Sequence, residues 1–346
     1  MIKQFSLIII FLIVGPNAQA NLKNYDNNEI KNFINHMYSK YNFDKKELEK
    51  LFIEIIPEKR IKKYFKKAPE RTLTWNGCDE KNKNCTNYKK LFVTKNNARR
   101  GLEFWLEHDK DLQRAYQKYG VPPEIIIAII GIESKYGTRT GTFKTFDTLA
   151  SLSFGPNKGR RSNFFKTELI NFLLMCKENN FNPRSIKGSY AGALGQPQFI
   201  SSSYRHYAVD FNNDKKIDLW NSTEDIIGSV ANYFYKNGWK TNQPIMSKII
   251  YSQSKSNFVD SESKKSYLPK TSYLDYTQHG LSSDISVSPS SLVAIIKRKE
   301  NNNNIYSFGH KNFYVITRYN RSRLYALAVY FLSNEIRNAK SRMERL

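Results

Sequence analysis

From Ile125 to Ile132 the chain reads Ile-Ile-Ile-Ala-Ile-Ile-Gly-Ile, six isoleucines in eight positions with no polar side chain among them. Pro122-Pro123 stands immediately before this run, where proline's fixed φ suits a first helical turn. A helix that is apolar on every side must be enclosed by other elements. The run is therefore read as a buried helix. That helix ends on Glu133, which shares a face with Ile126, Ile129 and Ile130 at spacings of seven, four and three residues. Burial among isoleucines disfavours a carboxylate's charge, and the negative helix end pushes the same way. A carboxyl still protonated near neutrality is what donating a proton to a glycosidic oxygen requires. Position alone also allows a buried structural Glu paired with Lys135 or Arg139.

The 346 residues suggest roughly two domains, and 40% hydrophobic with 14% aromatic content excludes a disordered chain. Residues 1–20 read as a signal peptide cleaved after Ala20: Lys3, the apolar run Leu7 to Val14, then Ala18-Gln19-Ala20. The run is shorter than the roughly 20 residues of a spanning helix, and no Cys follows it to carry a lipid. A periplasmic protein without a stable membrane anchor, and a monomer, is expected.

The net charge of +24 falls to +23 once the single Lys of residues 1–20 is removed. Such a charge suits nucleic acid, an anionic membrane surface or an acidic polymer outside the cytoplasm. Export and the even scatter of lysines argue against nucleic acid. A solvated basic surface with no partner remains the plain alternative. In an oxidising compartment Cys78 and Cys85, close together in a polar loop, are candidates for a local disulfide, and no His lies near them to suggest zinc. Cys176, within Phe172-Leu173-Leu174-Met175-Cys176, reads as a buried thiol.

Periodicity predicts short amphipathic helices over 27–67, a loop-rich stretch over 68–96, and one long helix from Asn97 to Tyr119 stopped by Gly120. Helices near 163–178 and 223–237 follow, the second closed by Gly238. Within 243–317 the runs Ile249-Ile250-Tyr251, Ser291 to Ile296 and Phe313-Tyr314-Val315-Ile316 read as strands, and Asn301–Asn304 as a turn. Helix returns from Arg321 to about Arg342. The resulting division is 21–120 helical, 121–242 the core, 243–317 a small β domain and 318–346 a terminal helix.

Several long motifs, in order, resemble the lytic murein transglycosylase B family. They are Tyr119 to Ile126, Ile129 to Glu133 with Gly137, Gly188 to Gly195, Ser202-Ser203-Tyr204, Tyr207 to Phe211, Gly228 to Phe234 and Ile316 to Asn320. The likeness spans about residues 29 to 335. It implies a mainly α (α+β) fold: a lysozyme-like helical core, an added helical domain and a small antiparallel β domain. It also implies a lyase that cleaves the β-1,4 bond between N-acetylmuramic acid and N-acetylglucosamine in peptidoglycan, leaving 1,6-anhydro ends. Glu133 matches the family's single acid/base, and no cofactor is needed for the chemistry. One carboxyl can suffice: the substrate's acetamido oxygen stabilises the cation at C1, and Glu133 acts as acid and then as base for the sugar's own 6-hydroxyl. Asp147 and Glu168, the nearest downstream carboxylates, are read as structural. A water-using muramidase and a non-catalytic wall-binding scaffold are the alternatives.

By the same resemblance Ser189 and Gln198 match positions that hydrogen-bond the glycan near the acid. Tyr233, Tyr319, Asn320 and Tyr88 match groove residues, since aromatic faces stack on sugar rings and an amide offers both donor and acceptor. Arg160 and Arg161 match a pair suited to the lactyl or peptide carboxylates of murein. Gln196-Pro197-Gln198 departs from the family, where Gly usually precedes the Gln, and Pro197 removes a backbone donor.

Asp210, Asn212 and Asp214 place oxygen ligands at positions 1, 3 and 5 of an EF-hand-like loop, with the Lys216 carbonyl at 7. Lys215 replaces the usual Gly, and position 12 is Asn221, so the closing carboxylate falls later, at Glu224 or Asp225. Alignment to the family through Ile227-Gly228-Ser229 favours Asp225. A structural Ca2+ is expected there, against the alternative of an ordinary polar loop.

Overall fold

Pro123 to Ser134 form the expected helix, with Pro122 extended before it (φ −60°, ψ 142°) and ten of its twelve residues buried. In this computed structural model the described residues are 27–56, 61, 73–76, 86–156, 159–300 and 303–345. The readings of residues 1–20 and of Cys78 and Cys85 lie outside them.

The first helices are α1 (Asn27–Tyr41) and α2 (Lys45–Ile53), and a two-residue parallel pair follows, β1 (Leu73–Thr74) with β2 (Thr86–Asn87). Then come α3 (Tyr88–Phe92), α4 (Lys95–Glu107), α5 (Asp109–Tyr119) and the central α6 (Pro123–Ser134). A second pair, β3 (Phe143–Lys144) with β4 (Lys187–Gly188), brackets α7 (Thr145–Phe154) and α8 (Ser162–Glu178). They are followed by α9 (Ser201–Tyr207) and α10 (Thr223–Lys236). The sheet region holds β5 (Met246–Ile250), α11 (Ser256–Ser263), β6 (Thr271–Ser272), α12 (Tyr273–Gln278), β7 (Ser282–Ser283), β8 (Leu292–Glu300) and β9 (Asn303–Gly309). The chain closes with α13 (Lys311–Tyr319) and α14 (Arg323–Met343).

Two helical cores result. One surrounds α6 with Trp105, Leu112, Ile227, Phe313 and the Tyr325–Leu332 face of α14. Each fully buried isoleucine of α6 contributes roughly 1.5–3 kcal/mol relative to exposure. The other joins α1 and α2 to α7 and α8 through Phe33, Phe52, Phe146, Phe172 and their neighbours. Tyr319 packs against both, so it marks the seam between them. A smaller third core lies under the five-stranded antiparallel sheet, order β6-β8-β9-β5-β7.

Two expectations are corrected. The long helix over 97–119 is two helices that meet at His108 (φ −120°, ψ 25°). The Asp109 carboxylate accepts from the Trp105 indole at 2.9 Å, and Asp109 and Asp111 give the second helix an acidic first turn. Phe313–Ile316 is not a strand but the middle of α13. A four-residue apolar run reads alike in either periodicity. Tertiary contacts decide: the Asn312 amide donates to the carbonyls of Lys240 and Gln243 and accepts from Lys240 N–H, pinning the first turn. Cys176 is buried as expected, and burial pushes its thiol up to about 12.

Candidate active site

Glu133 is half-buried on the last turn of α6. Burial pushes its carboxyl up to about 7, and a hydrogen bond donated by Tyr325 Oη to Oε1 at 2.7 Å pulls the other way. That phenol is the carboxyl's partner, so the structural ion pair with Lys135 or Arg139 does not form. The negative charge of Glu133 in turn helps burial to raise the phenols of Tyr88, Tyr319 and Tyr325. Three tyrosines from α3, α13 and α14 thus face one carboxyl. With its carboxyl pushed up to about 7, Glu133 keeps a substantial neutral fraction near neutrality, and that form can give its proton to an ether oxygen.

Each tyrosine is held from behind. Tyr88 opens α3, whose N-cap Asn87 side chain accepts from Lys90 N–H at 3.0 Å. The next residue, Lys89, donates to Glu300 Oε1 at 3.0 Å, and the Trp75 indole donates to the same oxygen at 3.2 Å. The far end of β8 is thereby tied to the segment that carries Tyr88. Tyr319 Oη donates to the Pro197 carbonyl at 2.7 Å, and its ring stacks on Phe234 and Tyr325 at centroid distances of 5.8 and 6.3 Å. Tyr233 is buried, donates to the Arg318 carbonyl at 2.6 Å and lies 4.7 Å from the Tyr319 ring. Its hydroxyl is committed to the scaffold, which leaves the ring as its contribution.

A polar wall, the 188–199 loop, joins the tyrosines where the Pro197 carbonyl accepts from Tyr319. Ser189 Oγ accepts from the amides of Ala193 and Ala191 at 3.0 and 3.3 Å, leaving its hydrogen free to donate. Gln198 adopts the left-handed region (φ 53°), and its amide nitrogen donates to the carbonyls of Gly195 and Thr140 at 2.8 and 3.1 Å. Pro197, the family departure, has no N–H to donate, and its carbonyl receives Tyr319. Asn320 is exposed just beyond α13. Arg160 and Arg161 are exposed ahead of α8, with the Arg161 guanidinium 4.5 Å above the Phe164 ring. The structure brings Glu133, Tyr88 and Tyr319 together, with Tyr233 behind Tyr319, and links the Gln198 wall to them through Pro197. Among the described residues no contact joins Arg160 or Arg161 to this group. Sequence reasoning missed Tyr325 and Glu300. The signal for Tyr325 was a phenol on the apolar stripe of α14, since a buried hydroxyl needs a partner.

Asp210 Oδ2 accepts from Lys215 N–H at 2.8 Å, Asn212 Oδ1 from Asp214 N–H at 3.0 Å, and Asp214 Oδ1 from Lys216 N–H at 2.8 Å. Lys215 takes the left-handed φ (70°) that the usual Gly would supply. Asp225 is fully buried and accepts from Phe211 and Asp218 N–H at 2.7 and 2.9 Å. Desolvation raises its pKa, and the nearby Asp210 charge adds to this. Glu224 instead accepts from Ser222 Oγ at 3.3 Å. The donors are all oxygen, as a hard cation prefers. Among the described residues no three His, Cys, Asp or Glu side chains gather as a metal group; this loop would rely on Asn212 and a carbonyl for part of its set.

A lysozyme-like helical core with one largely enclosed carboxyl among tyrosines, and a polar loop tied to them through Pro197, suits a glycan-cleaving enzyme. The chain belongs to the transglycosylase SLT domain family, whose model matches residues 25–334. It is 34% identical over 317 residues to the membrane-bound lytic murein transglycosylase B of Escherichia coli K12, covering 91% of this chain and 84% of that one. The soluble lytic transglycosylase SltB1 from Pseudomonas aeruginosa superposes with a TM-score of 0.82 at 36% identity, covering 90% and 99% of the two chains. The Escherichia coli lytic transglycosylase Slt35, solved in complex with calcium, gives a TM-score of 0.78 at 33% identity, covering 94% and 99%. The activity is that of the family, lytic transglycosylation of peptidoglycan.

Proposed function

We propose that Glu133 is the single acid/base of the reaction. Its proton passes to the glycosidic oxygen as the C1–O bond breaks, and the substrate's acetamido oxygen stabilises the cation. The carboxylate then takes the proton of the 6-hydroxyl, whose oxygen closes on C1 to give the 1,6-anhydro ring. No water is consumed, and Glu133 begins and ends neutral. The observation that carries this reading is that the other candidate carboxylates are committed elsewhere. Asp147 pairs with Arg184 at 2.7 Å, and Glu168 accepts both the N–H and the hydroxyl of Ser202 at 2.9 and 2.8 Å. A retaining or inverting hydrolase needs a second carboxylate at the bond. Ser189, Gln198, Asn320 and the Tyr88, Tyr233 and Tyr319 rings would hold the glycan, and Arg160 and Arg161 the murein carboxylates.

The experiment is digestion of purified sacculi in 18O-labelled water, followed by mass spectrometry of the new muramic ends. Unlabelled anhydro ends, lighter than reducing ends by one water, are expected. Labelled reducing ends in proportion to cleavage would make the enzyme a muramidase.

The same reading assigns Asp210, Asn212, Asp214, the Lys216 carbonyl and Asp225 to a structural Ca2+, supported by the oxygen-only donor set and the left-handed Lys215. It also places the mature chain in the periplasm. The 1–20 segment suits export and the remaining charge of +23 an anionic wall, and among the described residues no helix is long and apolar enough to cross a membrane. Periplasmic fractions used for the digestion should yield a protein that begins at Asn21.

A further inference from the structure

The three residues after the helix that bears Glu133 turn sharply, and the turn is strained. Lys135, Tyr136 and Gly137 have φ of 50°, 54° and 79°. A non-glycine residue held left-handed is unfavourable because its Cβ crowds the following carbonyl oxygen, and two in succession persist only where the surroundings over-determine them. Those surroundings are on α4. The Tyr136 ring lies between two glycines: a methyl added to Gly131 would come within 2.6 Å of the ring, and one on Gly101 would meet Ile336 at 2.6 Å and the Tyr136 hydroxyl at 2.9 Å. Tyr136 Oη donates to the Asn97 carbonyl at 2.7 Å. The Arg100 guanidinium lies 5.1 Å above the same ring and donates through Nη2 to the Lys135 carbonyl at 2.8 Å.

What the turn leads into matters as much as what holds it. Ser134 Oγ accepts from Gly137 N–H at 3.0 Å, and the Ser134 carbonyl accepts from Arg139 N–H at 2.8 Å. The chain is thus delivered to Thr140, whose carbonyl receives the Gln198 amide. Gly137 itself sits against the Gln196 side chain. One strained turn therefore connects the acid at 133 with the wall at 196–198.

We propose that Arg100 and Tyr136 form a clamp that positions Glu133 relative to the Gln198 wall. Neither residue touches the sugar; both are positioning residues, acting by holding the left-handed turn closed. The inference rests on the reading of Glu133 as the acid. The titratable groups that face Glu133 are Tyr88, Tyr319 and Tyr325, from the three elements packed on it. Opening the turn lets water reach the helix end, so the neutral carboxyl loses part of its advantage. Misplacing a reacting group by about 1 Å costs up to about 10²-fold in rate.

The test compares Arg100→Gln, Tyr136→Leu and Tyr136→Phe with wild type in kcat, KM, the pH dependence of kcat/KM and melting temperature, on a soluble murein glycan. Arg100→Gln and Tyr136→Leu should lower kcat by about 10- to 100-fold, change KM much less, and move the basic limb of the profile to lower pH. Tyr136→Phe, which keeps the ring between the glycines, should recover most of the rate. Folded variants that melt earlier but keep kcat and the basic limb would reduce the clamp to plain scaffolding and overturn the proposal. If Tyr136→Leu fails to fold, Arg100→Gln decides, since it removes one carbonyl bond and no core volume. Failure of the acid assignment is separately visible, as activity retained by Glu133→Gln with the clamp intact.

Discussion

Glu133→Gln is expected to leave a folded protein whose cleavage of purified murein falls on the order of 10²–10⁴-fold or more. Gln keeps the shape and can still accept from Tyr325, but it carries no transferable proton. Retention of more than about a tenth of the wild-type rate is incompatible with the general-acid magnitude and would remove Glu133 from the mechanism. The same substitution has a stability signature. The folded carboxyl titrates near 7 against 4.5 for a free one. Below pH 4.5 it is neutral in both states and folding bears no penalty. As pH rises through 7 the folded protein must either hold the proton or bury a charge. At roughly 1.4 kcal/mol per pKa unit the penalty approaches about 3 kcal/mol at alkaline pH. Glu133→Gln should therefore melt higher than wild type at pH 8, and the two should converge below pH 4.5. A variant less stable than wild type at pH 8 would show that the carboxylate is compensated by groups other than those described.

The second large effect concerns the loop that follows α9. Asp225→Ala strands the amides of Phe211 and Asp218, both of which point into a fully buried position. Orphaned buried donors cost about 1–3 kcal/mol each, so a loss of about 2–6 kcal/mol is expected from thermal unfolding even under chelation. Calcium adds a distinct response. Restored to chelated wild type, it should raise the melting temperature, because a ligand that binds only the folded state stabilises it. Asp210→Ala with Asp214→Ala should abolish that response while murein cleavage remains measurable at low temperature. An identical melting curve with and without millimolar calcium would mean that the loop is held by its own amides and takes no cation.

Much of this architecture was legible because its signals are local. The isoleucine run admitted one reading, a buried helix, and Gly120 and Gly238 do end helices in the left-handed region (φ 69° and 88°). The strand runs at Ile249-Ile250 and Leu292–Ile296 pair as expected within one sheet. Errors came where tertiary contacts outweigh periodicity. His108 (φ −120°, ψ 25°) interrupts an otherwise continuous amphipathic pattern, and Phe313–Ile316 follows the Asn312 anchor into a helix. In the site, a charge on an apolar face drew notice to Glu133 but left a structural Glu open, and it was the resemblance that singled it out. Tyr325 was not visible, since a tyrosine among alanines and leucines looks like core until its hydroxyl is seen on a residue 192 positions away. The support of Tyr88 by Glu300, 211 residues from Lys89, is equally invisible to any local pattern.

The central claim is that Glu133 stands protonated at the bond to be cleaved. Difference infrared or carbon NMR titration of carboxyl-labelled protein, wild type against Glu133→Gln, measures this carboxyl alone. The structure predicts one signal, present in wild type and absent from the variant, that titrates near 7. A missing signal that titrates at or below 4.5 would contradict the account.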